Sequence, residues 1–482
     1  MVEFSYVLGV FYMSLSEFVK YLKDIAWGPY MLTLLVCTGV FLSYRVGFIQ
    51  LTKFRYIMKN TIGKIFEKKQ ADEGEISPFQ AMTTALAATV GTGNIAGVTG
   101  AIAIGGPGAV FWMWLSAFFG MVTKYTEVVL AVKYREKNEQ GEWVGGPMYY
   151  IKNGLGPKFK WLASLFCVLG ALAAFGIGNM TQINTIASSM NTLFKSFGFT
   201  SGTFTVLGEV IPFTSLIIGV IAALLVALVL FGGIKRIGSV TEMLVPFMAL
   251  LYVVTAIIVI IFNIHLIDDI FIMIIKGAFN ADAALGGIFG ITIMKTIRNG
   301  IGRGVFSNEA GLGSDPMAHA STSETNPIKQ GFYGVFEVFM DTIVVCSMTS
   351  FVLLCGYLNG VTITWGQSAG AELISLSMGT VYGNQIGSLI IAICISLFAL
   401  STLLSWSLYG TRCCEFLFGT RFNVIYQVIF IIFIVVGACA KLDLVWDIAD
   451  ALNGFMAIPN LIALLGLSNI VVNATKEYFK HN

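Results

Sequence analysis

Residues 81–105 read AMTTALAATVGTGNIAGVTGAIAIG. The stretch is apolar enough and long enough to cross a bilayer, yet Gly91-Thr92-Gly93-Asn94 interrupts it at the middle. Pro78 marks its start, Gly105-Gly106-Pro107 marks its end, and no Lys, Arg, Asp or Glu occurs between Gln80 and Ser116. A helix facing lipid gains nothing from a Gly-Thr-Gly-Asn run at that depth. Unwound backbone there is tolerated only where protein encloses it or where it lines a cavity. The run therefore marks a binding site within a membrane protein, in the manner of a secondary transporter with a broken helix.

The composition agrees. The chain has 482 residues, 56% of them hydrophobic and 12% charged, with a mean hydropathy of +0.80. Soluble domains are about 25% charged. Eleven spans can be read, near 27–48, 78–104, 108–133, 161–191, 213–234, 240–263, 283–304, 330–356, 385–411, 422–440 and 443–472. The fold class expected is all-α integral membrane. A net charge of +2 gives no footing for nucleic acid, and no loop is large enough to hold a soluble domain. The eight cysteines lie in or beside apolar segments with no C-x-x-C pair, which suggests neither a disulfide framework nor a zinc site. Glu3, Glu17 and Asp24 near the start, with no basic leader, suggest no cleaved signal peptide.

Lysine and arginine orient the spans. Alternate loops carry about 23 basic residues on one side and five on the other, with Lys124 inside a span. The positive-inside rule then places the N-terminus outside and the C-terminus in the cytoplasm of a multi-pass cell-membrane protein.

An odd count suggests one extra helix, in residues 1–77, followed by two five-helix halves, 78–263 and 264–482. The second half opens on AALGGIFGITIMKTIRNGIGRG, interrupted at Gly286-Gly287 and Gly290. Two broken helices at corresponding places point to an inverted repeat. Gly287, Phe289 and Gly290 would form the second wall of a small pocket. Close packing through small residues is the alternative for both glycine runs.

Several polar groups stand at membrane depth. At the first break, the carbonyls of Ala87 and Val90 end one half-helix and can coordinate a cation. The amides that start the next half suit a carboxylate. Thr92 and Asn94 add side-chain oxygens. In span four, Gln182 and Asn179 share a face. Gln182 either meets the substrate or bonds a neighbouring helix. Ser401 and Thr402 are adjacent hydroxyls that either complete a Na⁺ site with those carbonyls or cap their own helix. Trp406 is expected to close the pocket from one side. Lys124 and Glu127 are expected to neutralise one another, Asp341 to lie near the ion path, and Arg303 to pair with Glu309 in a cytoplasmic gate loop spanning 302–326. No carboxylate falls inside either glycine break, which favours a neutral zwitterion as ligand. With three histidines, no H-E-x-x-H and no Walker A sequence, neither an enzyme nor an ATP-driven pump is expected. Two opposed breaks favour an occluded site over the continuous polar pore of a channel.

The runs AATVGTGNIAG (Ala87–Gly97), FGIGNMTQ (Phe175–Gln182), RGVFSNEAGLGS (Arg303–Ser314) and MAIPNL (Met456–Leu461) resemble the alanine or glycine:cation symporters, and the resemblance extends over nearly the whole chain. It implies ten helices in the leucine-transporter-type inverted repeat plus one extra. It also implies uptake of alanine or glycine coupled to Na⁺, or in some members H⁺, with no obligatory protein partner. Gly91-Thr92-Gly93-Asn94 is similar to the break of neurotransmitter:sodium symporters. That likeness places the substrate carboxylate on the amides of Thr92 and Gly93; Phe175 and Gln182 of span four are expected in the same pocket, and the likeness goes further. It places Asn94 beside an ion, and a second Na⁺ among Ala87, Val90, Ser401 and Thr402. Glutamine or serine is the alternative substrate.

Overall fold

A computed structural model describes residues 14–64, 74–199, 201–206, 209–279, 292–440 and 443–481. Among these, nine helices are long and apolar enough to cross a membrane, ten if one bent pair counts as a single span. The principal helices are α1 (Leu15–Ala26), α2 (Pro29–Arg45), α3 (Pro78–Thr89), α4 (Val98–Gly105), α5 (Ala109–Lys133), α6 (Lys160–Phe175) and α7 (Thr181–Ser196). There follow α8 (Phe213–Leu230), α9 (Gly233–Phe262), α10 (Ile267–Phe279), α11 (Ile293–Asn308), α12 (Pro316–Ala320), α13 (Pro327–Val338) and α14 (Ser347–Leu358). The last are α15 (Ala371–Tyr382), α16 (Asn384–Phe418), α17 (Asn423–Cys439) and α18 (Asp443–His481).

Large apolar side chains on α8, α9 and α17 stay exposed, among them Leu224, Leu228, Leu250, Ile261, Ile425 and Ile432. Outward apolar faces of this size belong against lipid. By contrast, α3 is buried along almost its whole length, between α9 and α16. Ser77 caps α3: its hydroxyl accepts from Gln80 N while the Gln80 side chain accepts from Ser77 N, and Pro78 opens the helix. The centre of the bundle is α5, with α11 and α13 packed on it, and α6 and α7 lie on α16.

The chain is not purely helical. Two short antiparallel hairpins occur in connections, β1 (Glu136–Lys137) with β2 (Trp143–Val144) and β3 (Thr203–Val206) with β4 (Glu209–Pro212). Segments 264–279 and 357–384, between the longer helices, carry α10 and α15. Gly366 N donates to Ala103 O (2.8 Å) and Trp112 Nε1 to Ala278 O (3.1 Å), which sets both segments beside the α4–α5 turn. The predicted span 283–304 is described only from Thr292 onward. Gly287, Phe289 and Gly290 lie outside the described residues.

Candidate functional site

The first break is present. The helix pair Pro78–Thr89 and Gly93–Gly105 bends by 48° across it, and Val90 leaves helical geometry at ψ 82°. Gly93–Gly97 forms a widened π-helical turn, a distortion often found at functional sites. Asn94 staples the turn: its Oδ1 accepts from Gly91 N (2.9 Å), while its Nδ2 donates to Asp341 Oδ1 (2.6 Å). Asp341 also accepts from Ser307 Oγ (3.1 Å) and Thr342 Oγ1 (2.7 Å), so every oxygen of this buried carboxylate is held. A carboxylate thus does reach the break, though from another helix. The expectation of none held only for the glycine runs themselves.

The hydroxyl pair converges on the end of the first half-helix. Ser401 Oγ and Thr402 Oγ1 both donate to Ala87 O, at 3.2 and 3.0 Å, and both also bond Phe398 O on their own helix. The hydroxyls thus bond their own helix and also reach the carbonyl end of the first half-helix. Gly91 allows the approach. A methyl group there would stand 2.6 Å from Thr402 Oγ1. Val90 is buried at the same helix end. The site offers hard oxygen ligands of the kind an alkali cation takes, two hydroxyls and the terminal carbonyls.

Thr92 Oγ1 donates to Gln182 Oε1 (3.0 Å), and Gln182 Nε2 donates to Ile177 O (2.9 Å). Ile177 lies in a second π-helical turn, Gly176–Met180, which joins α6 to α7. Thr92, Gly93 and Gln182 line a cavity of about 630 Å³ together with Phe306 of α11. The cavity runs outward past Ser188 and Thr192 to Glu372 and Ser375 of α15.

Phe175 and Trp406 lie elsewhere. The Phe175 ring packs among Tyr426, Phe430 and Phe433, with centroids 5.0–5.9 Å away. Trp406 is buried against Gly178, and its Nε1 donates to Glu309 Oε1 (3.1 Å).

The described chain breaks a second time, at Glu309–Asp315, between α11 and α12. Glu309 adopts a left-handed backbone (φ 54°), and Gly311 and Gly313 follow at φ 95° and 84°. The region expected to be a gate loop is therefore helical up to Asn308 and buried beyond it. Arg303 and Glu309 do not pair. The left-handed turn sends the Glu309 carboxylate to Trp406 and Ser314 Oγ, whereas Arg303 faces the cavity with its guanidinium 5.0 Å from the Phe306 ring centroid. Nor do Lys124 and Glu127 form a direct ion pair. The second break brings better partners: Lys124 Nζ binds Asp315, and Glu127 Oε1 accepts from Gly311 N (3.1 Å) and Asn460 Nδ2 (2.5 Å). Around and beyond α12 the chain seals against the residue before α3's cap and against Arg135 after α5. Ile76 N donates to Ser321 O (3.0 Å), Ser323 N donates to Ile76 O (2.8 Å), and Arg135 Nη1 donates to Ala320 O (3.1 Å). The cavity thus opens toward α15 and is closed toward α12.

Phe306 escaped the sequence reading. Its signal was a lone aromatic among small and polar residues, RGVFSNEAG, facing no apolar stripe.

The comparisons with known proteins agree with this architecture. A crystal structure of MhsT in complex with L-phenylalanine superposes with a TM-score of 0.57 at 13% identity, over 85% of this chain and 99% of that one, which shows a shared fold. The sodium/alanine symporter AgcS of Methanococcus maripaludis is 45% identical over 97% of this chain and 98% of its own length. An uncharacterized transporter of Haemophilus influenzae is 43% identical over 97% of both. The probable sodium/glutamine symporter GlnT of Bacillus subtilis is 36% identical over 96% of this chain and 91% of its own. Residues 12–482 match the sodium:alanine symporter family throughout, and with a bent, glycine-broken helix beside a partly polar cavity, the chain belongs to that family of multi-pass membrane transporters.

Proposed function

We propose that the protein couples Na⁺ entry to uptake of a small neutral amino acid, alanine or glycine, across the cytoplasmic membrane. The observation that carries this reading is the 48° break in the first broken helix, with Thr92, Gly93 and Gln182 on a cavity and Ser401 and Thr402 on Ala87 O behind it.

The substrate carboxylate meets the first amides of the second half-helix, at Thr92 and Gly93, where the helix dipole favours an anion. Thr92 and Gln182 flank it, and Phe306 faces Gly93 and limits the side chain. Na⁺ sits among the carbonyls of Ala87 and Val90 and the hydroxyls of Ser401 and Thr402. The four oxygens come from α3 and α16, so the ion ties two halves of the bundle together. Asn94, fixed by Asp341, transmits that ordering to the substrate turn. Gly287, Phe289 and Gly290 are assigned to the same pocket on sequence grounds. The N-terminus lies outside and the C-terminus in the cytoplasm, with two five-helix halves (78–263 and 264–482) after the extra N-terminal helices. The cavity then faces outward, and the Lys124–Asp315 pair and the 76/321–323 contact form the closed inner gate. Transport follows from a ligand that binds the outward and inward states differently. A larger neutral amino acid such as glutamine is the second reading, favoured by a 630 Å³ cavity that also presents amide side chains.

The test is uptake into proteoliposomes. Labelled alanine should accumulate above its outside concentration under an inward Na⁺ gradient, and not when K⁺ replaces Na⁺. A pH gradient that sustains accumulation without Na⁺ would assign H⁺ instead, and simple equilibration would indicate a channel.

A further inference from the structure

The short helix Phe54–Thr61 follows closely on a membrane span and turns a basic face outward. The span ends at Arg45, and Gly47 and Phe48 then adopt left-handed backbone (φ 75° and 50°) that redirects the chain. The helix therefore starts where a span leaves the hydrocarbon, at the height of the lipid headgroups. Its apolar side is spent on the protein. Ile57 and Thr61 are buried, and the Tyr56 ring packs on Phe332 of α13 and Phe479 of α18, with centroids 5.9 and 5.7 Å away. The hydroxyls of Tyr56 and Tyr478 bond at 3.0 Å. Left outward are Lys53, Arg55 and Lys59, all exposed. Tyr44 and Leu51, 74% and 64% exposed, carry apolar surface up to the edge of that face.

The end of α18 adds to the patch. Lys53 Nζ stands 4.8 Å from the centroid of the Phe479 ring. Lys476 and Lys480, exposed and one turn apart, lie on either side of Phe479 along α18. Among the described residues, none of these five cations is within ion-pair distance of a carboxylate. Glu477 is the one acid between Lys476 and Lys480, so the patch keeps an excess of positive charge. Unpaired ammonium groups beside a bilayer attract headgroup phosphates, and a net negative lipid is favoured over a zwitterionic one.

A ligand here would be felt inside the bundle. Phe332 stacks on Tyr125 of α5, with centroids 6.3 Å apart, and the Tyr125 hydroxyl bonds Thr475 Oγ1 of α18 at 2.7 Å. Tyr125 is next in the chain to Lys124, the cation held by Asp315. The short helix, α5, α13 and α18 thus meet at one aromatic cluster, directly under the basic patch.

We infer that Lys53, Lys476 and Lys480, with Arg55 and Lys59 alongside, form a binding site for the headgroup phosphate of an anionic phospholipid. The phosphate bridges the short helix to the end of α18, the acyl chains lie along Tyr44 and Leu51, and the bound lipid holds the aromatic cluster together. The site is separate from the cavity at Thr92 and does not depend on which solute the protein carries.

The experiment is thermal unfolding of the purified full chain in neutral detergent, with phosphatidylglycerol, phosphatidylcholine or inorganic phosphate added in turn. Phosphatidylglycerol should raise the melting temperature saturably, and the other two should not. Lys53→Gln and Lys480→Gln should each raise the half-saturating phosphatidylglycerol concentration about fivefold, and the double variant about 25-fold. Lys476→Gln, which leaves the Lys53–Phe479 contact intact, should match the single variants. Lys160→Gln, an exposed lysine at the start of α6, should leave the lipid response unchanged, which separates a site from overall charge. A phosphatidylglycerol response equal in the wild type and the double variant, or weakened equally by Lys160→Gln, would overturn the site. So would a wild type that phosphatidylglycerol does not stabilise. Equal stabilisation by inorganic phosphate would overturn the lipid as its occupant.

Discussion

Gly91→Ala tests the ion site through a single methyl group. The added carbon would stand 2.6 Å from Thr402 Oγ1, closer than real side-chain carbons approach an oxygen, while its other neighbours, Ala88 O and Gln182 Oε1, would both lie at 3.7 Å. Thr402 is β-branched and stiff at χ1, and its hydroxyl is held by Ala87 O and Phe398 O. It must turn away or push α3 from α16. Overpacking of this kind costs about 1–3 kcal/mol. If that cost falls on the ion-bound state, the Na⁺ concentration for half-maximal uptake rises about 5- to 150-fold, since 1.4 kcal/mol is tenfold. Thr402→Ala removes a ligand and should raise it comparably. The decisive variant is the double one. Without Oγ1 the new methyl meets only ordinary contacts, so Gly91→Ala in the Thr402→Ala background should change Na⁺ dependence less than threefold. The assay is initial-rate uptake in proteoliposomes across a Na⁺ series. Equal effects of Gly91→Ala with and without Thr402 would refute the reasoning, because neighbours that share a clash must show coupling.

Thr92→Leu should abolish uptake while leaving the detergent-solubilised protein monodisperse; transport at the normal rate would remove Thr92 from the substrate site. Asp341→Asn keeps one oxygen for Asn94 Nδ2 but sets an NH2 donor against the Thr342 hydroxyl, which donates to the second carboxylate oxygen at 2.7 Å. A buried unsatisfied donor costs about 1–3 kcal/mol, so uptake measured at fixed alanine and Na⁺ should fall roughly tenfold. Lys124→Met leaves Asp315 buried without its cation, which costs about 3–5 kcal/mol. A large fall in thermal stability is expected, with partial recovery in Lys124→Met/Asp315→Leu, and an unshifted melting transition would show that the pair does not hold the inner gate.

What the sequence made legible was local. The break at Gly91–Asn94 is visible because four small or polar residues interrupt an apolar run, and the structure bends there. The Ser401-Thr402 pair is visible as adjacent hydroxyls at membrane depth, and it reaches Ala87 O. The partners of charged groups were not legible. Lys124 looked toward Glu127, three residues on, but it binds Asp315, 191 residues away. Only tertiary packing makes that choice. The Glu309–Asp315 break was hidden for a related reason. Its glycines are spaced as in an ordinary turn, and only the burial of Glu309, Asp315 and their partners distinguishes it from a surface loop. Gln182 was read as either a substrate contact or an interhelical bond, and it makes the second while lining the cavity.

In the proposed transport cycle, broken backbone at 91–94 holds an ion on one side and a zwitterion on the other. An experimental structure determined with alanine and Na⁺ tests this most directly. It should show the alanine carboxylate on the amides of Thr92 and Gly93, opposite Phe306, and a cation among Ala87, Val90, Ser401 and Thr402. A continuous α-helix through 91–94, or alanine bound with that turn empty, would contradict it.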